Sequence, residues 1–214
     1  MDDCERMIRS IVRHHTGGTK LIYGGHEIDV GLPWERLTVQ EAFQRYVGMD
    51  IREVSEGEAF RQLARKAGFN EIRDNDPWDV VFFKVFLTAI EPQLGRRQPA
   101  FLIDYPVSMA ALAKKKREDQ GIAERFEVYI EGVELANGFT ELNDPREQYR
   151  RFLEEQEEKR RMGLPVYPID EAFMNAMEGG IPPAGGVALG VDRLMLLMTD
   201  AKHIGEVMAF PFTV

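Results

Sequence analysis

The sequence predicts an α+β fold, an antiparallel β-sheet with flanking helices. Three observations carry that expectation. Residues 1–100 read mainly as amphipathic helices, residues 124–139 as one β-hairpin, and a glycine-rich strand at 185–190 feeds a last helix. No regular alternation of strand and helix runs along the chain, so the hairpin sets the antiparallel character of the sheet. Residues 1–214 are read as a single domain, helical to about residue 100 and sheet-bearing beyond it.

Each element has a local reason. Met7, Ile8, Ile11 and Val12 recur at helical spacing within residues 3–14, and Thr16-Gly17-Gly18 ends that run. Thr38 is an N-cap with Glu41 three residues on, the capping-box spacing. Residues 57–68 and 77–90 give two more helices, the second opened by Asp76-Pro77 and stopped near Pro92. Phe101-Leu-Ile-Asp-Tyr105 is a short strand closed by Pro106. Asp144-Pro145-Arg146-Glu147 opens a long helix with Asp at the N-cap and Pro in the first helical position. Its Glu154–Arg161 part has no apolar stripe and should be a solvated face. Residues 170–178 form a further helix, stopped by Gly179-Gly180. The helix from Val191 to Met198 is apolar nearly all round and is expected to be buried.

Composition narrows the function classes. The formal charge is −9, so any nucleic acid or nucleotide must be held by a local site rather than by the chain as a whole. With Cys4 alone there is no intramolecular disulfide and no cysteine-only zinc cluster. The most apolar run, Val80 to Leu87, is short and carries Lys84, so no membrane span is expected. Met1-Asp2-Asp3-Cys4 is no signal-peptide start, and a cytoplasmic protein is the expectation.

Two constellations can carry chemistry. Take Glu131-Gly132 as a two-residue hairpin turn. Residue 130 then pairs with 133, 129 with 134, 128 with 135 and 127 with 136. Phe126, Val128, Ile130, Val133 and Leu135 share one apolar face, and Glu127, Tyr129, Glu134 and Ala136 share the other. Glu127 and Glu134 become diagonal neighbours roughly 7–8 Å apart, from where two carboxylates can converge on a hard cation such as Mg²⁺. The same alternation also suits a wet outer face, where glutamates are ordinary. Strict alternation puts Asn137 on the apolar side, and a bulge at Gly138 would turn it toward Glu134. The second constellation is Gly185-Gly186-Val-Ala-Leu-Gly190-Val-Asp-Arg193. Its glycines let backbone approach a ligand, and Arg193 can fork onto phosphate oxygens. It matches neither a Walker loop nor a dinucleotide fingerprint. A tight strand-to-helix turn with Asp192–Arg193 as a surface pair explains it as well.

Other candidates are weaker. His14-His15, His26 and His203 share no metal-ligand spacing, and Lys114-Lys115-Lys116-Arg117 suits a solvated loop or an acidic partner. Trp34 and Trp78 read as core or interface anchors.

The stretch from Arg125-Phe126-Glu127 through Glu134-Leu-Ala-Asn137-Gly-Phe139-Thr-Glu141-Leu-Asn-Asp144 resembles the active-site strands of class II lysyl-tRNA synthetases. Gly186-Val-Ala-Leu-Gly190-Val-Asp-Arg193 resembles their motif 3. Glu134-Leu-Ala-Asn-Gly-Phe, the stretch Gly163-Leu-Pro-Val-Tyr-Pro-Ile-Asp170, and Ala188 in place of glycine are similar more narrowly to the elongation factor P lysyltransferases. The resemblance implies a class II aminoacyl-tRNA synthetase-like core and an ATP-dependent, adenylate-forming ligase using ATP and Mg²⁺. Lysine or β-lysine would be transferred to elongation factor P, with tRNA the weaker partner. By the same resemblance Glu127 and Glu134 would hold Mg²⁺ and ATP, the Val128 backbone would meet adenosine, and Gly190 and Arg193 would bind the nucleotide. Glu134, Asn137, Phe139 and Glu141 would form the amino-acid pocket, reshaped by Ala188. The rival expectations are a lysyl-tRNA synthetase fragment and a non-catalytic binding remnant. The family's motifs 1 and 2 are not found in residues 1–100, so this reads as the C-terminal part of a catalytic domain, homodimeric at full length. Without the motif 2 arginine, the expectation is a chain that is inactive alone, with sheet edges left open.

Overall fold

The computed structural model describes residues 1–53 and 57–211. Its centre is a five-stranded sheet in the order β3-β4-β5-β6-β7, with β3 at Glu35–Thr38, β4 at Ala100–Pro106, β5 at Ile122–Ile130, β6 at Val133–Thr140 and β7 at Gly185–Leu189. A separate two-stranded hairpin joins β1 (Lys20–Tyr23) to β2 (His26–Asp29). Three of the four pairings in the large sheet are antiparallel, but β3 and β4 run parallel. The wholly antiparallel sheet expected from the sequence is therefore corrected. Parallel neighbours need a long crossover, and three helices supply it: α2 (Val39–Val47), α3 (Gly57–Lys66) and α4 (Trp78–Val85). Residues 1–100 also hold three short strands, which the helical reading passed over because four-residue strands give too little alternation to register.

The sheet separates two cores. On the front face, Leu37, Leu102, Tyr105 and Tyr129 pack against α2, α3 and α4. An unbroken file of rings crosses this layer, running Phe60, Trp78, Phe82, Phe86, Tyr129, with centroids 5.0 to 6.2 Å apart at each step. On the back face, Phe101, Val128, Ile130, Leu135 and Ala136 pack against α1 (Asp2–Thr16), the β1–β2 hairpin and α7 (Val191–Thr199). The face shared by Phe126, Val128, Ile130, Val133 and Leu135 is as the alternation predicts. Trp34 packs on Phe101 at 5.2 Å within this back layer.

Several local predictions hold. Thr38 and Glu41 form the reciprocal capping box. Asp144 caps α5 (Pro145–Arg161) through the Arg146 and Glu147 amides, and Asp170 caps α6 (Glu171–Glu178). The helix expected over 77–90 ends as an α-helix at Val85 and continues as a π-helical turn, Phe86–Ile90, into a 3-10 turn, Glu91–Gln93. The last helix is only half covered: Leu194 and Leu197 are buried while Val191 is 65% and Met195 42% exposed, so the expectation of full burial fails. Its apolar composition exceeds what this chain packs against it.

Lys114, Lys115 and Lys116 each have an internal partner: Asn143, Glu147 and Asp104. Glu147 gathers Lys115 and Arg151 at 3.0 and 3.1 Å as well as Arg150. Burial pushes its carboxyl up, but the hydrogen bonds from Arg150, Lys115 and Arg151 outweigh it and hold the pKa at about 2. No helix among the described residues is long and apolar enough to cross a membrane.

Two predictions follow from this packing. A side chain at Gly95 would place its Cβ 2.3 Å from the Tyr129 carbonyl oxygen, at a φ of +70°, so Gly95→Ala should lose about 2 kcal/mol or more in denaturant unfolding. A depressed carboxyl stabilises the fold above its ordinary value and ceases to do so as pH falls through its native value. Glu147→Gln should therefore be less stable than the parent at neutral pH, with the gap closing as pH falls from 4.5 toward about 2.

Candidate active site

Backbone register decides which side chains share the front face. Tyr129 pairs with Glu134 as predicted, but the ladder then slips: Val128 pairs with Ala136, Glu127 with Asn137 and Arg125 with Phe139. The bulge thus lies at Leu135, between Glu134 and Ala136, and not at Gly138. Leu135 and Ala136 both turn to the back core, which removes Ala136 from the face assigned to it, and Asn137 comes round to the front beside Glu127. Gly138 has a different reason to be glycine: a Cβ there would sit 2.6 Å from the Phe126 ring and 2.7 Å from the Gly186 carbonyl oxygen.

A second irregularity lies in β4. Its register shifts between Ile103 and Tyr105, and Asp104 adopts a φ of +62°. Ile103 faces the back with Phe126, so unbroken alternation would send Tyr105 there too. The extra residue turns Tyr105 to the front instead, where it packs in the helical core.

Both irregularities converge on Glu127. Its Oε2 accepts from the Tyr105 and Tyr129 hydroxyls, each at 2.5 Å. Its Oε1 accepts from Arg125 Nη2 at 2.7 Å and Asn137 Nδ2 at 3.1 Å. Burial, followed by the Glu127 charge, raises both tyrosine hydroxyls far above their ordinary range, so they remain proton donors. Arg125 also lies over the Tyr105 ring at 4.6 Å. A 7% exposed carboxylate with four donors is a fixed point.

Glu134, the other predicted carboxylate, is held differently. Arg193 donates through Nη1 to the Glu134 carbonyl oxygen at 2.7 Å and lies 3.5 Å from its carboxylate. The two sequence constellations therefore meet, and Arg193 does not pair with Asp192 as the alternative held. Burial first, then the Glu127 charge, raises the Glu134 carboxyl, partly offset by Arg193. Glu91 is raised by burial and by Glu134 and Glu127, again opposed by Arg193. Three carboxylates and one guanidinium thus share one electrostatic neighbourhood, a place short of positive charge.

The remaining predicted residues line the open part of the same face. Across β5, β6 and β7 the directly opposed residues are Glu127, Asn137 and Ala188, and one step further Arg125, Phe139 and Gly186. Ala188 and Gly186 are exposed. Glu141 continues the alternation beyond Phe139, and its Oε1 lies where a Gly186 Cβ would be only 2.5 Å away. Gly190 caps α7, donating its amide to the Leu135 carbonyl oxygen at 2.9 Å. The Val128 side chain belongs to the back core, and only its backbone faces this region, between β4 and β6. Sequence reading missed Glu91, Tyr105 and Arg125. The first sits in a turn after an apolar helix, and the second is hidden by the bulge that rotates it.

Among the described residues no group of three or more His, Cys, Asp or Glu side chains is arranged to hold a metal ion. The donor set still fits a hard cation bound with phosphate. Among the described residues Glu134 offers a carboxylate whose only charged partner is Arg193 at 3.5 Å, whereas Glu127 becomes a direct ligand only if Arg125 or Asn137 turns away.

The family model for class II tRNA synthetases of the D, K and N type matches residues 1–214. The chain belongs to this family. It is 39% identical over 212 residues to the lysine–tRNA ligase of Pelotomaculum thermopropionicum, covering 99% of this chain and 42% of that protein. It is 41% identical over 195 residues to the lysine–tRNA ligase of Thermosynechococcus vestitus, covering 91% of this chain and 38% of that protein. It is also 44% identical over 178 residues to the elongation factor P–(R)-beta-lysine ligase of Proteus mirabilis, covering 83% of this chain and 54% of that one. The chain therefore spans less than half of the tRNA ligases and about half of the elongation factor P ligase. An α+β architecture with a mostly antiparallel sheet is compatible with the class II family.

The raised Glu134 carboxyl gives a signed expectation. A group whose native pKa lies above its unfolded value stabilises the fold at low pH and loses that contribution as pH rises through the native value. Glu134→Gln should therefore gain stability relative to the parent as pH rises above the ordinary carboxyl range, measured by thermal unfolding from acid to neutral pH.

Proposed function

We propose that this chain carries the nucleotide and amino-acid sites of an adenylate-forming ligase that activates lysine or β-lysine with ATP and passes it to a lysine side chain of elongation factor P. The observation that carries the reading is the meeting of Glu134 with Arg193 beside the Glu127, Asn137, Ala188 row. An acidic face with one forked cation suits a diamine and a triphosphate together.

In this reading the substrate carboxylate attacks the α-phosphorus of ATP and pyrophosphate leaves. The ε-amine of the acceptor lysine then attacks the acyl carbon of the adenylate, AMP leaves, and the amine's proton passes to solvent. Arg193, about half exposed, is placed to take phosphate oxygens while Glu134 remains its resting partner. Magnesium, held by Glu134 and by Glu127 once a donor has turned away, would offset phosphate charge. Glu141, lying close over Gly186, would take the side-chain ammonium, with Asn137 and Phe139 beside it. Asn137 faces Ala188 across the strands, so that methyl group occupies floor that a glycine would leave free. Binding would rest on positioning and charge, with no protein nucleophile.

A lysine–tRNA ligase is the second reading. It is favoured by one observation: the lysine–tRNA ligase of Pelotomaculum thermopropionicum matches 99% of this chain, against 83% for the elongation factor P ligase of Proteus mirabilis.

ATP–pyrophosphate exchange tests the shared core of both readings. Exchange with lysine or β-lysine is expected when a segment bearing the motif 2 arginine is supplied in trans, and Arg193→Ala or Glu134→Gln should each reduce it about 10²- to 10³-fold. Acylation of elongation factor P but not of tRNA selects the first reading, and the reverse result selects the second. Failure to exchange with either amino acid leaves a non-catalytic binding chain.

A further inference from the structure

Beyond Arg125 and Phe139 the pairing of β5 with β6 stops, and another piece of chain enters the gap. This strap, residues 110–116, is centred on Lys114. The Lys114 N–H donates to the Thr140 carbonyl oxygen of β6 at 2.8 Å, and its carbonyl oxygen accepts from the Glu124 N–H of β5, also at 2.8 Å. On the β6 side Ala113 forms an antiparallel bridge with Glu141, and Leu142 N–H donates to the Leu112 carbonyl oxygen at 3.1 Å. On the β5 side Lys115 bridges to Ala123. Glu141 is therefore placed by the strap and by Ala184, just before β7, whose carbonyl oxygen accepts its N–H at 3.0 Å. No pairing with β5 holds it.

A strap with so short a ladder needs fastening from outside. Ala111 adopts a φ of +50°, a left-handed backbone that is unfavourable for a residue with a Cβ and persists only where neighbours hold it. Arg151 supplies that hold from α5. Its side chain is 14% exposed, and its Nη1 donates to the Ala111 carbonyl oxygen at 2.7 Å and the Ala113 carbonyl oxygen at 2.9 Å. Its Nε donates to Glu147 at 3.1 Å, one turn earlier, and Glu147 also takes Lys115 of the strap at 3.0 Å. Lys114 Nζ reaches Asn143 Oδ1 at 3.2 Å. Asp144, the cap of α5, follows soon after Glu141, so a closed circuit runs from Glu141 through α5 and Arg151 to the strap and back. Just before the strap, the Met109 carbonyl oxygen accepts from Arg125 Nη1 at 2.7 Å, and Arg125 Nη2 holds Glu127.

We propose that Arg151 is a positioning residue for the amino-acid pocket: by holding the Ala111 and Ala113 carbonyls it fixes the strap that sets Glu141, so that this carboxylate lies over Gly186 to meet the side-chain ammonium of a diamine. The ammonium rests on the ligase reading, whereas the fastening of Glu141 through the strap does not. Arginine suits the task because its planar fork holds two carbonyls through one nitrogen while another stays on Glu147, a geometry that a lysine ammonium cannot copy. Gly186 completes the arrangement, since a Cβ there would stand 2.5 Å from Glu141 Oε1.

Lysine and norleucine differ by the side-chain ammonium alone, so their relative affinity separates placement of Glu141 from general loosening. Ligand-observed NMR titrations of the full chain give that ratio, with β-lysine and 3-aminohexanoate as a second pair. Glu141→Gln should lower the ratio about 10- to 100-fold. Arg151→Gln should lower it about tenfold and leave norleucine binding unchanged. Added to Glu141→Gln, it should lower the ratio little further, because both substitutions act through one carboxylate. Arg151→Lys keeps a charge beside Glu147, should lower the ratio in the same direction, and covers the case in which the glutamine variant does not fold. Hydrogen exchange at the Lys114 and Leu142 amides, which the strap pairings protect, should quicken in both Arg151 variants. A ratio that Glu141→Gln lowers and neither Arg151 variant moves overturns the proposal, as does an equal loss of lysine and norleucine binding. A parent with no preference for lysine or β-lysine counts against the ligase reading, and amide exchange then decides on the strap. Quicker exchange in the Arg151 variants upholds it, and unchanged exchange overturns it.

Discussion

The organisation of the front face depends on one saturated carboxylate. Removing a charge from water is expensive unless donors replace its hydration, and Glu127 obtains four from three strands, its own included: Tyr105 on β4, Tyr129 and Arg125 on β5, and Asn137 on β6. Tyr129 and Arg125 share its face by simple alternation, but Tyr105 and Asn137 would not converge on it in a perfectly regular sheet. The β4 bulge turns Tyr105 forward and the β6 bulge turns Asn137 forward, so the two backbone irregularities and the carboxylate hold one another in place. Bulges near functional clefts commonly re-aim a side chain in this way. A rigid Glu127 beside a less committed Glu134 also divides labour between two chemically identical groups. One supplies a fixed negative potential, and the other, poorly solvated and near a mobile-length arginine, is free to exchange partners.

Much of this was legible in the sequence because it rests on period-two and capping patterns. The apolar face of the hairpin, the Thr38 capping box and the Asp144 and Asp170 caps all follow from residue type at fixed offsets. The proximity of Glu127, Glu134, Asn137 and Arg193 was expected partly from the hairpin register and partly from resemblance to a known family. What remained hidden has a common physical cause. A bulge adds one residue without a distinctive side chain: Leu135 looks like any strand leucine, and Asp104 in a strand gives no sign that it will take a left-handed backbone. Glycine misled in the other direction. Gly138 suggested a kink, whereas its lack of a side chain makes room for the Phe126 ring and the β7 backbone. The parallel pairing of β3 with β4 was equally invisible, because four residues of β3 show no run long enough to distinguish an edge strand from a loop.

The sheet is also asymmetric in how it is covered. Helices α2 to α4 close the front face over β3, β4 and the Tyr129 end of β5, while β6 and β7 leave it open toward Asn137, Ala188 and Gly186. The back face is packed by α1, the β1–β2 hairpin and α7. A ligand site built on the open quarter of a sheet otherwise packed on both sides inherits the rigidity of the core yet remains accessible. The glycines of β7 lower that floor, and the short distance between Gly186 and the Glu141 carboxylate means that depth and charge are set together.

The file of rings from Phe60 to Tyr129 gives the molecule a built-in optical contrast. Trp78 is a member of that file, with two rings between it and the tyrosine that grips Glu127, while Trp34 lies beyond the sheet against Phe101. These are the two tryptophans of the chain. One indole therefore reports on the layer behind Glu127, and the other on the opposite side of the sheet. Spectral changes confined to Trp78 would distinguish occupancy of the cleft from general loosening of the protein, with no label added.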